Sequence, residues 1–196
     1  MARRSSKLST AAPGRVLLSA TAIRRRVAAL GREISARYPA DRHPLTVLGL
    51  MNGSVFFLVD LARHLPVETH VECWRVQSYQ GTASTGTLQG LEHCQGDFQG
   101  RTVVIVDDIL DTGLTLDAVR RRVLELGAAR AEICVLLRKK RRRTVKVAPR
   151  WIGFDIADEF VIGYGLDHDG KYRGLKSIRS IQVLPSAPEV PAAVRS

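Results

Sequence analysis

Residues 103–115 read Val-Val-Ile-Val-Asp-Asp-Ile-Leu-Asp-Thr-Gly-Leu-Thr, an apolar run that ends in three acids and a small-residue turn. Four consecutive β-branched residues predict a buried strand, and helical spacing begins near Thr115. The acids and the turn therefore fall at the carboxyl end of a strand, where open α/β sheets bind ligands. Thr112-Gly113-Leu114-Thr115 can aim backbone N–H groups and two hydroxyls at a phosphate. Gly113 permits close approach, and the following helix adds its positive end. Adjacent Asp107 and Asp108 suit vicinal hydroxyls or a hydrated Mg²⁺. The plainer alternative is a strand followed by an acidic helix cap, and spacing alone leaves Asp111 equally a helix cap or a general base.

The rest of the chain supplies the partners that such a strand needs. Ser19 or Thr21 can cap a helix with Ile23, Val27, Leu30 and Ile34 at helical spacing. Strands are expected at 45–50, 68–76, 103–106, 131–137, 151–156 and 160–164. Amphipathic helices are expected at 55–65 and at 115–126, the latter closed by Gly127. Strands alternating with helices predict an α/β fold built on a mainly parallel, doubly wound sheet. Residues 78–87, all hydroxyl, Gly, Ala, Gln or Tyr, read as a mobile loop or ribbon. Residues 1–13 read as a disordered basic arm, 14–184 as a single domain and 185–196 as a disordered tail.

Composition narrows the setting. The chain has 196 residues, 45% of them hydrophobic, enough for one sizeable core. Its three cysteines are far apart, which indicates neither a disulfide framework nor a zinc site, and reduced thiols fit a cytoplasmic protein. No apolar run approaches the roughly 20 residues that span a bilayer. A formal charge of +11 calls for anionic company, and phosphorylated substrates, nucleic acid and membrane surfaces all qualify.

The thirteen-residue string resembles the ribose-phosphate signature of type I phosphoribosyltransferases. Segments from Leu45 to Leu184 resemble, in matching order, the hypoxanthine-guanine branch of that family. The resemblance implies the family's sheet, with a small hood formed by the chain-terminal segments. It also implies a Mg²⁺-dependent purine-salvage reaction that joins a 6-oxopurine to 5-phosphoribosyl 1-pyrophosphate, giving IMP or GMP and pyrophosphate.

Carried over residue by residue, the resemblance implies that Asp107, Asp108, Thr112, Gly113, Leu114 and Thr115 hold the phosphoribosyl group. Met51, Asn52 and Gly53, with a non-proline cis bond between Met51 and Asn52, and Arg173 face the pyrophosphate. Ser78 and Tyr79 open a loop that shields the reaction from water. Asp111 takes a proton at N7 of the purine. Lys139 donates to O6, Phe160 stacks on the ring, and Ile109, Val161 and Asp167 lie beside it. Asp107, Asp108 and Asp167 are the candidate Mg²⁺ ligands, and relatives assemble as dimers or tetramers. From its apolar neighbours alone, Phe160 reads instead as a core residue.

Three other readings compete. Arg138-Lys139-Lys140-Arg141-Arg142-Arg143 and the basic arm suit an RNA-binding regulator on the same fold, or weak nonspecific nucleic-acid binding beside an enzyme. A relative that prefers xanthine is a second, and an inactive scaffold a third. A charge run is otherwise most often a solvated loop. Asp167-His168-Asp169-Gly170 fails as a calcium loop because Ile178 stands where the twelfth-position Glu is needed.

Overall fold

Strand β6 (Thr102–Leu110) is the spine of the molecule, and its two faces explain the layers on either side. Val104 and Val106 point into one core and Val103 and Ile105 into another, all four fully buried. A strand covered on both faces needs helices on both. The structure, a computed structural model, describes residues 11–38, 45–65, 68–78, 88–142 and 145–183.

Five strands form the central sheet, all parallel: β2 (Leu45–Met51), β3 (Thr69–Arg75), β6, β7 (Arg130–Lys139) and β8 (Trp151–Ile156). Their order is β3-β2-β6-β7-β8, so the chain winds outward in one direction from β2 and in the other from β6. Helices α1 (Ala20–Arg37) and α2 (Val55–Ala62) cover one face through Ile23, Val27, Leu30, Ile34, Phe57 and Leu61. Helix α3 (Leu114–Glu125) covers the other through Leu116, Val119 and Val123. The expected doubly wound sheet is present.

Local chemistry sets the helix ends. Ser19 Oγ accepts from the Ala22 N–H at 3.2 Å and caps α1. Gly127, at φ 91°, ends α3, with the Ala128 N–H on Val123 O and the Gly127 N–H on Leu124 O. Helix α2 stops at Ala62 rather than Leu65. There the His64 and Leu65 N–H groups turn to carbonyls only three residues back, which tightens the chain out of the α-helix.

A second sheet, antiparallel in the order β1-β10-β9, joins both ends of the described chain: β1 (Ala11–Leu18), β10 (Ile178–Val183) and β9 (Val161–Ile162). This is the expected hood. Its first strand corrects one boundary, because Ala11, Ala12 and Pro13 lie opposite Val183, Gln182 and Ile181 and are not part of a free arm. Residues 1–10 and the 185–196 tail lie outside the described residues. A short ribbon, β4 (Gln77–Ser78) with β5 (Leu88–Gln89), starts the segment read as a loop, whose residues 79–87 are also outside the description.

Candidate active site

Open α/β sheets bind ligands in the crevice where the winding direction reverses, which here lies between β2 and β6. The two segments leaving these strands, Asn52–Ser54 and Asp111–Gly113, flank it. The Met51–Asn52 peptide is cis. Gly53 lies hard against the Asp108 carboxylate, so that a Cβ there would overlap Oδ2. From the other side Gly165, at φ 104°, is pressed so closely on the Gly53 carbonyl that it also has no room for a Cβ. Ser54 anchors the turn, its buried hydroxyl donating to Leu50 O at 2.6 Å.

Asp107 and Asp108 close strand β6, which runs through the acids to Leu110. The Asp108 N–H donates to Asp107 Oδ1 at 3.0 Å. Burial, then the neighbouring Asp108 charge, holds the Asp107 carboxyl well above the usual carboxylate range. Burial also raises Asp108, opposed by hydrogen bonds and by the positive charge of Arg173. Arg173 is itself fixed by two contacts, Nη1 donating to Gly165 O at 2.6 Å and Nη2 standing 2.7 Å from Asp167 Oδ1. The other Asp167 oxygen accepts from the Gly170 N–H at 2.8 Å. Asp107, Asp108 and Asp167 do not converge, and no cluster of three metal-ligating side chains occurs among the described residues.

The turn that follows leads directly into α3. Gly113 is left-handed at φ 87° and precedes the first turn of α3, with Val145 and Val147 packed where a side chain would start. Leu114, just over a third exposed, donates its N–H to Thr112 Oγ1 at 3.4 Å. Thr115 occupies the first helical turn.

Asp111 does not stand alone at this turn. Arg141 Nη1 donates to its Oδ1 at 2.7 Å, and Lys139 Nζ lies 3.5 Å from its Oδ2. Both cations also face Asp158, at 3.2 Å from Lys139 and 3.6 Å from Arg141. Lys139 is the last residue of β7 rather than part of a loop beyond it, which makes its side chain a fixture of the sheet edge. Arg138 likewise belongs to β7 and pairs with Asp155. Arg141 and Asp158 escaped the sequence reading. The only signal for Arg141 was its place among six cations, all alike in composition.

Phe160 is not a core residue. Its ring is 53% exposed and meets the His168 ring edge-on at a centroid distance of 5.5 Å. The expected 160–164 strand shrinks to Val161–Ile162, both buried. Ile109 packs against the α1–α2 core. Ser78 lies in β4, and Tyr79 lies outside the described residues.

Comparison with known proteins agrees with this layout. A sequence model of the phosphoribosyl transferase domain family matches residues 16–169. The chain is 40% identical over 171 residues to a hypoxanthine-guanine phosphoribosyltransferase of Mycobacterium avium, covering 85% of this chain and 84% of that protein. It is 39% identical over 171 residues to a hypoxanthine phosphoribosyltransferase of Escherichia coli K12, covering 86% and 96%. A crystal structure of a hypoxanthine-guanine phosphoribosyltransferase from Bacillus anthracis superposes with a TM-score of 0.81 at 29% identity, over 88% of this chain and 99% of that one. A family model that spans most of the chain, relatives about 40% identical along most of their own length and a matching solved fold agree, and the chain belongs to the phosphoribosyl transferase domain family.

Proposed function

We propose that this chain is a purine-salvage transferase that joins hypoxanthine or guanine to 5-phosphoribosyl 1-pyrophosphate, releasing pyrophosphate and forming IMP or GMP. The observation that carries the reading is the pairing of the Thr112–Thr115 turn with Asp111 and Lys139 at one end of the sheet. It sets a phosphate cradle beside a carboxylate and a donor-only cation. The names of the relatives above support the same substrates.

In this reading Thr112, Gly113, Leu114 and Thr115 receive the 5′-phosphate, and Asp107 and Asp108 orient the ribose hydroxyls. The purine N9 attacks C1′ as the bond from C1′ to pyrophosphate breaks, and Asp111 accepts the proton released from N7. Asn52, Gly53 and Arg173 supply N–H donors and positive charge to the departing pyrophosphate. Phe160 offers an exposed face for stacking, with Ile109, Val161 and Asp167 around the base. Lys139 has donors only, so it rewards a 6-oxo group and opposes a 6-amino group. Ser78 and Tyr79 begin the segment that would cover the site.

The acids present suit a lightly held Mg²⁺. Both adjacent carboxylates are raised by burial, and Asp107 also by the charge of Asp108, so they gain from a nearby cation, and carboxylate oxygens are the donors that such an ion takes beside waters and substrate oxygens. When bound, Mg²⁺ would neutralise charge on the pyrophosphate, and Asp107 and Asp108 are the residues that would face it. Asp167, engaged by Arg173 and Gly170, would have to exchange those partners to join them.

We place the protein in the cytoplasm, consistent with free cysteines and with no described helix being long and apolar enough to cross a membrane. Phe56 and Val59, exposed on α2, suit self-association as a dimer or tetramer. A second activity, weak nonspecific nucleic-acid binding, is favoured by exposed Lys140 and Arg142 and by the net charge, and would fall steeply with salt.

The test is an ultraviolet absorbance assay with phosphoribosyl pyrophosphate and Mg²⁺, offering hypoxanthine, guanine, xanthine and adenine in parallel. Turnover of the first two with adenine inert is expected. Preferential turnover of xanthine would replace the substrate assignment. No turnover with any base, together with RNA retention on filters at low salt, would overturn the enzyme reading in favour of a regulator.

A further inference from the structure

Asp111, Lys139, Asp158 and Arg141 form a closed ring of alternating charge. Lys139 Nζ lies 3.5 Å from Asp111 and 3.2 Å from Asp158. Arg141 lies 2.7 Å and 3.6 Å from the same two acids. Each acid therefore has two cations, and the ring is neutral. The cations are not equivalent. The Lys139 side chain is 13% exposed and the Arg141 side chain 37%, so lysine is the inner member and arginine the outer one.

The inner member is also the one assigned to the purine 6-oxo group, and that creates a conflict. An ammonium held between two carboxylates gives up strong charge-assisted contacts if it turns to a neutral carbonyl. The acids it leaves behind, with side chains 40% and 44% exposed, would go on attracting the ammonium away from the carbonyl. A guanidinium removes the conflict, because its forked donors can face both acids at once.

We propose that Arg141 is a positioning residue for purine recognition. By pairing with Asp111 and Asp158 together, it leaves the Lys139 ammonium available to the 6-oxo group. This rests on the assignment of Lys139 to that group. It gives one cation of the basic run a purpose within the site that its composition does not reveal.

The test is steady-state kinetics with hypoxanthine varied at saturating phosphoribosyl pyrophosphate, for the wild type, Arg141→Ala, Arg141→Lys, Arg141→Ala with Asp158→Asn, and Lys139→Met, with thermal melts to confirm folding. Arg141→Ala is expected to raise the hypoxanthine KM by about tenfold, the scale of one charge-assisted contact, while kcat and the KM for phosphoribosyl pyrophosphate change much less. Arg141→Lys should fall between, because one ammonium faces one acid well. Adding Asp158→Asn to Arg141→Ala should bring the hypoxanthine KM back toward the wild-type value, because Lys139 then faces a single carboxylate. A purely structural role for Arg141 would not be rescued by a second substitution. An unchanged KM in folded Arg141→Ala, or no recovery in the double variant, overturns the proposal. Normal hypoxanthine KM and continued rejection of adenine in Lys139→Met would instead remove the lysine assignment beneath it.

Discussion

Gly53 and Asp108 touch so closely that the glycine α-carbon, coming off β2, forms part of the wall behind the aspartate of β6. The two segments flanking the crevice are thereby locked at one distance, and the lock works only without a side chain. Gly53→Ala should push the carboxylate or the loop aside, at a stability cost of about 1–3 kcal/mol from overpacking. Binding of phosphoribosyl pyrophosphate should weaken more than stability does. Calorimetric titration beside a thermal melt checks this, and wild-type binding would show that the contact is slack.

Asp111→Asn keeps the shape of the side chain and removes its ability to take a proton. Turnover should drop by about 10²–10⁴-fold, with a much smaller change in hypoxanthine affinity. Single-turnover kinetics with IMP formation as the readout separate the two. Near-normal turnover would leave Asp111 as an ion-pair partner of Arg141 and Lys139, and not as a cap, since α3 is capped at Gly113 with no side-chain bond.

Arg173 uses two separate nitrogens, one on the Gly165 carbonyl and one on Asp167. Lysine cannot reproduce that fork. Arg173→Lys is expected to raise the KM for phosphoribosyl pyrophosphate by about tenfold, with the purine KM little changed. Equal effects on both substrates would argue against a local role at the pyrophosphate.

Tyr38 sets an alkaline limit on the fold. Burial, then the charge of Glu132, raises its phenol from 10.0 to about 12. A raised acid favours the protonated form in the folded state, so this contribution is fully present below the unfolded value of about 10 and is lost as pH rises through the folded value. Melting temperature should therefore fall between about pH 10 and about pH 12, and less steeply in Tyr38→Phe. Parallel slopes for the two proteins would assign the fall to other groups.

The parts of this molecule that were legible are those whose reasons are local. The Val103–Val106 run is buried on both faces, and Gly113 and Gly127 take the left-handed backbone that their positions in the pattern call for. The parts that were not legible depend on partners distant in sequence. Ala11-Ala12-Pro13-Gly14 has little strand propensity of its own and is a strand because β10 offers it a ladder. Phe160 sits beside the apolar pair Val161–Ile162, yet it is turned outward where the short β9 begins. The ring around Asp111 draws on three separate sheet-edge segments, and nothing in a run of six cations distinguishes the one that reaches an aspartate.

The hood has a consequence for the order of assembly. β9, which carries Val161, is held by β10, and β10 in turn holds β1, so the first described strand waits for the last before it can pair. During synthesis from the amino end, the parallel sheet and the turn after β6 can form while β1 is still a loose thread. The hood closes only when the carboxyl-terminal strand emerges. A chain released before β10 would keep the crevice between β2 and β6 but leave both β1 and β9 without the strand that holds them.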